Sequence, residues 1–557
     1  MTFKQLAYSL LAVISLHKSP TVFGQQSRNT ESPRIINIVN FIRQTDYRLA
    51  NADSLLFDAV RQQIKLVNTY RFPATFLFQY DALINPAYQR LMKTQLNDQC
   101  EIGAWWEITQ PHVEAAGIRW RGEHPWVSHA NIAFTTGYTP KEREKLVDVY
   151  MAKFREIYGH YPKSVGSWFI DSHTLAYLYE KYGIIASANC KDQIGTDGYT
   201  LWGGYWNQAY YPSRKNAYLP AQHARNQIPV PIFRMLGSDP IYQYDTGLGR
   251  SRQGVISLEP VYPRSGGNKQ WVTYFLESLV NQPSLAFGYA QAGQENSFTW
   301  AAMRDGLRMQ FELFDSLRRE GKIRLETLAH SGAWFKEQFP VTPSTAVTAL
   351  TDVKEEGRKT VWFNSRYYRT NLLWEKGSFR FRDIHLFDEQ FESAYLKTAG
   401  VGSQFFYFAL PVVDGFRWST PDDRAGLRLM AADATGNHTE IVLADPVVTE
   451  ENGQVLTVRS TDGQGHTFTI TFYEDRFLVQ CDAPTDEFRW YLQFHAATQA
   501  ELPFQSIERT QVRARFREFD YAITCRKGRV EADEWQTHKS FRFMPEDQLL
   551  EIDCTNN

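Results

Sequence analysis

Acidic and histidine side chains recur just past short apolar runs in this chain. Asp46 and Asp81 come early, then Glu101 and Glu107, Asp171 and His173, Asp192 and Asp197, Asp239 and Asp245, and finally Glu295. Paired carboxylates are the minimum equipment for hydrolysing a glycosidic bond. One protonates the leaving oxygen while the other attacks the sugar or activates water. Several carboxyls in one pocket raise each other's pKa, which supplies the protonated acid. On that chemistry Asp171, Glu295, Asp197 and Asp239 are the expected catalytic residues. A single carboxylate also has a plainer use, and Asp171, ahead of Ser-His-Thr-Leu, suits a helix N-cap equally well.

Gly195 to Arg214 is too rich in Gly and polar residues for a helix, yet more aromatic than an ordinary exposed loop. Trp202, Tyr205 and Trp206 are expected to stack on sugar faces. Arg214, His173, Asp192 and Asp245 are expected to bond hydroxyls, and Trp105 and Glu107 to wall the same site. The alternative is a loop folded onto its own aromatics. Segments 237–245 and 293–300 have the same polar-aromatic character.

These residues need a scaffold that brings distant loops together. From Ile35 to about Leu317, short apolar runs alternate with amphipathic helical stretches, the βα signature of a parallel barrel. Strands are expected at 35–42, 74–78, 100–104, 164–170, 184–188, 230–235 and 285–289. A helix with Leu56, Val60, Ile64 and Val67 at helical spacing follows the first. Functional groups of such barrels gather at the carboxyl ends of the strands. From about Pro343 the texture becomes short alternating segments between Gly, Asp and Asn turns, as in Thr467 to Phe472, which spells an antiparallel β-sandwich. The fold expected is an N-terminal distorted (β/α)7 barrel over 25–340, followed by a C-terminal β-sandwich over 341–557.

The chain has 557 residues and a net charge of −2, with no basic stripe for a nucleic-acid groove. Aromatics reach 15%; core packing explains most of them, and platforms for sugar rings would explain an excess in loops. Lys4, the apolar run Leu6 to Leu16 and the small-residue site at Val22 to Gly24 read as an export signal over 1–24. The run is too short to span a membrane, and no later segment is apolar enough. A periplasmic or secreted protein without an integral membrane segment is expected. Five cysteines, with no CxxC or Cys/His ligand spacing, form no disulfide framework.

Phe72 to Phe76 (Phe-Pro-Ala-Thr-Phe) and Glu101 to Gly103 (Glu-Ile-Gly) resemble the NodB polysaccharide-deacetylase barrel, whose matching text reads "VPATFF…HEIGNHT". That family binds a metal through an Asp-Asp pair after strand one and a His-x-x-x-His after strand three. Here Trp105 and Thr109 stand where its two His would be, so no metal ligands and no cofactor are expected. His124 and His129 are the nearest His pair. Over most of the chain the layout is similar to glycoside hydrolase families 57 and 38. Family 57 carries its nucleophile after strand four in a G-x-W-x-x-E context and its acid after strand seven. Gly166 to Asp171 fits that context with Asp for Glu, and Glu295 takes the strand-seven place. The resemblance implies a divergent, metal-independent exported glycoside hydrolase acting on an oligo- or polysaccharide. The alternatives are a metal-dependent polysaccharide deacetylase and a non-catalytic glycan-binding protein.

Overall fold

The computed structural model describes residues 32–433, 435–484, 488–533 and 540–556. The expected export signal lies outside them. Among the described residues no helix is long and apolar enough to cross a membrane.

Seven parallel strands make the barrel wall of a nine-stranded N-terminal sheet: β1 (Arg34–Ile42), β2 (Thr75–Phe78), β3 (Glu101–Trp105), β4 (Ser164–Gly166), β5 (Ala186–Asn189), β6 (Ile232–Arg234) and β7 (Gly288–Ala292), with Ala209–Tyr210 antiparallel on β6 and Arg324–Glu326 parallel on β1. Their order is β7-β1-β2-β3-β4-β5-β6, so the sheet curls into a barrel left open between β6 and β7. Rings of Phe233 and Tyr289 bridge that gap, 5.0 Å between centroids. The expected strands thus exist in the expected order; β7 begins three residues later than the apolar run suggested, because Leu285 to Phe287 is consumed in the turn before it.

The helices follow from the periodicity. The helix after β1, α1 (Ala52–Tyr70), buries Leu56, Val60, Ile64 and Val67. Ahead of β4 lies α2 (Pro140–Tyr158), which opens with a Thr139–Glu142 capping box and Pro140 and ends on Gly159 in the left-handed region. After β4 comes α3 (Ser172–Tyr182). A late helix, α4 (Leu328–Gln338), closes the amino end of the barrel. Its Leu328 N–H donates to Thr75 Oγ1 at 2.9 Å and its Ala329 N–H to Glu101 Oε2 at 3.0 Å. Glu101 therefore belongs to the barrel base, the opposite end from the site. Inside the barrel, a Cβ on Gly103 or Gly166 would fall 2.6 Å from a Leu77 methyl. Those glycines leave the lumen to Leu77 and Trp105.

The C-terminal part is two antiparallel sheets. The first runs through β8 (Thr345–Ala349), β9 (Lys359–Asn364), β10 (Tyr368–Glu375) and β11 (Ser378–Leu386), and then Gly426–Ala432 and Arg489–His495. The second is an eight-stranded sheet built from strands between Val447 and Asp553. Inward rings meet between them, Phe363 with Phe472 at 5.3 Å and Phe381 with Phe477 at 5.4 Å, making a sandwich core. The strand Tyr199–Trp202, from the loop after β5, pairs in parallel with Phe405–Phe408. Ser32–Asn557 is one compact unit.

Candidate active site

Side chains inward on the parallel strands continue past the strand ends to form the barrel mouth. Arg43 follows β1, Gln79 follows β2, Glu107 lies two residues past β3 and Trp168 two past β4. The other three converge on the Glu107 carboxylate. Its Oε2 accepts from Arg43 Nε at 2.9 Å, Gln79 Nε2 at 2.8 Å and Trp105 Nε1 at 2.8 Å. Its Oε1 accepts from an Arg43 terminal nitrogen at 2.8 Å and from Trp168 Nε1 at 2.9 Å. A bidentate Arg plus three further donors fixes the Glu107 carboxylate in place and engages both of its oxygens. Ring stacking of Phe41 on Trp105, 4.2 Å between centroids, stiffens the wall beneath it.

Glu295, three residues past β7, reaches the same arginine but is held quite differently. Its Oε1 accepts from Ser297 Oγ at 2.5 Å and, weakly, from Arg43 at 3.4 Å. Its Oε2 lies 3.3 Å from Arg43 without hydrogen-bond alignment, and among the described residues no donor satisfies it. The side chain is buried, at 6% exposure for the residue. Burial, against the pull of Arg43 and with the repulsion of Glu107, pushes its pKa up to about 7. Asp81, just past β2, is buried in the field of the same pair, and burial lifts it to about 7 as well. The Asn296 side chain clamps the arrangement by accepting from the Arg43 N–H at 2.9 Å and donating to the Arg43 carbonyl at 2.8 Å.

A second group completes the mouth from the β5 to β7 side. Glu259 is buried and raised by that burial; it accepts from Ser257 Oγ at 2.8 Å and lies within the field of Lys191. Lys191 is itself buried, its pKa lowered by desolvation, and its Nζ has no hydrogen-bond partner among the described residues. Asp197 is exposed, at the tip of the hairpin joining Gln193–Thr196 to Tyr199–Trp202. Asp197 and Gly198 have φ of 45° and 79°, the left-handed pair that a two-residue hairpin turn requires. The Asp197 charge adds a minor upward push on Glu295, Glu259 and Tyr262.

Of the four carboxylates expected to be catalytic, Glu295 lies against Arg43 at the mouth, Asp197 is exposed in its hairpin turn, and the other two are committed elsewhere. Asp171 caps α3. It accepts from Thr174 N–H at 3.0 Å, Thr174 Oγ1 at 2.7 Å, Thr135 Oγ1 at 2.6 Å and Arg143 at 2.9 Å. Burial opposes its ionisation, but Arg143 and these donors hold its pKa below the usual value. The plainer of the two uses is the one the geometry gives it. Asp239 is fully buried in a turn, bonded to the N–H groups of Ile241 and Tyr242 and to Trp271 Nε1 at 2.7 Å.

The aromatic segment corrects the reading of sugar platforms. Trp202, Tyr205 and Trp206 are 1%, 0% and 2% exposed, so no sugar face reaches them. Trp206 stacks on Trp362 of β9 at 3.9 Å, Tyr205 donates to the Pro343 carbonyl at 2.7 Å, and Trp202 donates to Asp414 at 3.0 Å. These rings glue barrel to sandwich. Asp192 and Asp245 serve the same junction: Asp192 pairs with Arg234 at 2.7 Å and Arg369 at 2.5 Å, and Asp245 with Arg382 at 3.1 Å. His173 faces Glu144 at 3.1 Å, and Arg214 makes a surface pair with Glu180 at 2.8 Å. Trp105 and Glu107 do line the mouth, Trp105 as a donor to the carboxylate rather than as an exposed face.

Arg43, Gln79, Trp168, Lys191 and Glu259 were not among the residues expected at the site. The usable signal was position: Arg43 and Gln79 are the first residues after strands. The metal set of the deacetylase family does not fit the residues present. Trp105 is committed to Glu107, and Asp46 is held by Arg48 through Nε at 2.8 Å and a terminal nitrogen at 2.5 Å. His124 stacks on Tyr47. Among the described residues no three His, Cys, Asp or Glu side chains gather as a ligand set.

Residues 131–369 match a family model described as a domain of unknown function with a solved structure, DUF3863, which is less than half of the chain. No curated protein sequence matches. A Parabacteroides distasonis protein provisionally described as a glycoside hydrolase/deacetylase is similar at 15% identity and TM-score 0.49, over 68% of this chain and 91% of that one. A 4-alpha-glucanotransferase of Thermococcus litoralis is similar at 11% identity and TM-score 0.31, over 94% and 99%. A Mycobacterium smegmatis protein provisionally described as a polysaccharide deacetylase is similar at 11% identity and TM-score 0.36, over 56% and 93%. Likenesses this distant assign no activity, and the barrel stands on its own strand order.

Proposed function

We propose that this protein is an exported, carbohydrate-active glycoside hydrolase with Glu295 as its general acid and Asp197 as the partner carboxylate. The observation that carries the reading is the asymmetry around Arg43. One carboxylate, Glu107, has both oxygens engaged by five donor contacts. The other, Glu295, has an unsatisfied oxygen and a pKa near 7, so at neutral pH a large share of it holds a proton to donate. Glu107 and Arg43 do not react; they set the field in which Glu295 titrates. Asp197, exposed in the turn, is the acid free to act as nucleophile or base. Asp171 and Asp239 are assigned to structure. The substrate is an oligo- or polysaccharide, and the place of action is the periplasm or the exterior.

The test is hydrolysis across nitrophenyl glycosides and plant and bacterial glycans. Glu295→Gln is expected to lower kcat at least a thousandfold, and Asp197→Asn a hundredfold or more, with circular dichroism unchanged. Wild-type activity should fall as pH rises above about 7, because the acid must carry its proton. Near-normal turnover in Glu295→Gln would remove Glu295 from the mechanism. Saccharide binding without cleavage by the wild type would favour a glycan-binding protein instead.

A further inference from the structure

Beside the buried acids lies a surface feature that the hydrolytic chemistry does not use. Tyr47 is 47% exposed, an unusual setting for a large ring in this protein. One face of it is covered by the His124 imidazole, 4.4 Å away between centroids and nearly parallel at 13°. A continuous line of contacts runs from this pair to the carboxylates. The Tyr47 ring lies 6.0 Å from Trp126, and the Trp126 ring carries the Arg43 guanidinium at 4.2 Å and that of Arg48 at 5.0 Å. Arg43 is the residue that joins Glu107 to Glu295.

The platform is held rigid from both sides. Trp120 Nε1 donates to the His124 carbonyl at 3.1 Å, and the Gln110 N–H donates to the Pro125 carbonyl at 2.8 Å. Arg48 is fixed to Asp46 by its bidentate pair, while its own side chain stays 46% exposed. A half-exposed aromatic ring beside a fixed, half-exposed arginine suits a pyranose ring. Axial C–H groups lie on such a face and hydroxyls reach the charged edge. A site for a hydrophobic peptide would need a larger apolar patch than one ring.

We infer that Tyr47, backed by His124 and edged by Arg48, is a saccharide subsite one or more sugar units away from the bond that Glu295 cleaves. This rests on the hydrolase reading above and adds to it that the natural substrate is an extended glycan rather than a monosaccharide glycoside. A substrate that spans both places has more binding contacts, and those are lost only for long chains when Tyr47 is removed.

The experiment compares wild type with Tyr47→Ala and Tyr47→Trp. Calorimetric binding of malto-, cello-, xylo-, chito- and galacturono-hexaose to Glu295→Gln is measured alongside kcat/KM of the catalytically intact proteins on the responding hexaose and its nitrophenyl monoglycoside. Tyr47→Ala is expected to weaken hexaose binding and raise hexaose KM about tenfold, with a loss on the monoglycoside several-fold smaller. Tyr47→Trp should restore binding. Equal losses on both substrates, no loss on either, or no hexaose bound by any form would overturn the subsite. Hexaose binding that depends on Tyr47 with no cleavage by the wild type would sink the hydrolase reading and leave the subsite standing.

Discussion

Two places in this molecule bury carboxylates, arginines and tryptophans together, and they are built to opposite ends. At the barrel–sandwich junction Asp192, Asp383 and Asp414 are each answered by several donors, and Asp245 is paired with Arg382 through one of its oxygens. Asp192 accepts from Gly203 N–H, Tyr218 hydroxyl, Arg234 and Arg369, and Arg369 is bidentate to Asp383 at 2.8 and 2.9 Å. Tyr244 donates to Asp383, and His385 lies between Asp383 and Asp414. Burial works against the ionised forms there, yet Arg369 and His385 hold Asp383 and Asp414 well below the usual carboxylate range. At the mouth, one arginine serves two glutamates. The surplus acid, Glu295, ends with an open oxygen and a raised pKa. Aromatic and charged composition is shared by the two regions; the direction in which the buried carboxyls are shifted separates them, down for Asp383 and Asp414 and up for Glu295.

The contrast predicts where damage goes. Arg369→Met would strand Asp192 and Asp383 and is expected to cost about 3–5 kcal/mol of stability in urea unfolding, the range for breaking a buried pair. Turnover per folded molecule should keep its pH dependence. A cost below about 1 kcal/mol would mean the junction is less committed than its geometry says.

Glu295→Gln should act in the other direction. Burial lifts the folded-state pKa of Glu295 to about 7 from 4.5, so between those values the native protein holds a proton that the unfolded chain has released. Stability from this group therefore falls as pH rises through that window and is level above it. Replacing it by a neutral amide is expected to raise stability at pH 8 by up to about 3 kcal/mol and to change little at pH 4. The sharpest form of the contrast is this pH dependence in the difference between wild type and variant melting. Its absence would break the claim that the mouth is strained.

Asp171→Asn tests the smallest effect. The amide can still cap α3 but loses the ion pair with Arg143, and about 1–3 kcal/mol is expected. Activity per folded molecule should survive; its loss with unchanged stability would return Asp171 to the mechanism.

Much of the architecture was legible in the sequence because it rests on local regularities. Period-3.6 burial at Leu56, Val60, Ile64 and Val67 marked a helix, and apolar runs bounded by turns marked all seven barrel strands. Glu295 was legible too, since a carboxylate just past the last strand must reach the mouth. Asp171 was ambiguous, because a strand-end acid and an N-cap look alike until the donors around it are known. The aromatic segment misled for a related reason. Trp202, Tyr205 and Trp206 carry no mark of what covers them, and the cover comes from β9 and from Asp414, more than a hundred residues away.

The sequence by itself determined the barrel, the sandwich and the presence of spare carboxylates at the strand ends, since those depend on periodicity and on turn chemistry near in the chain. Only the tertiary structure decided which carboxylate is spare. That choice depends on how many donors converge on each oxygen, and the donors of Glu107 come from β1, β2, β3 and β4 at once. Arg43 reaches across to Glu295, 252 residues later. A pKa near 7 is a property of that convergence and of the water it excludes, not of the glutamate.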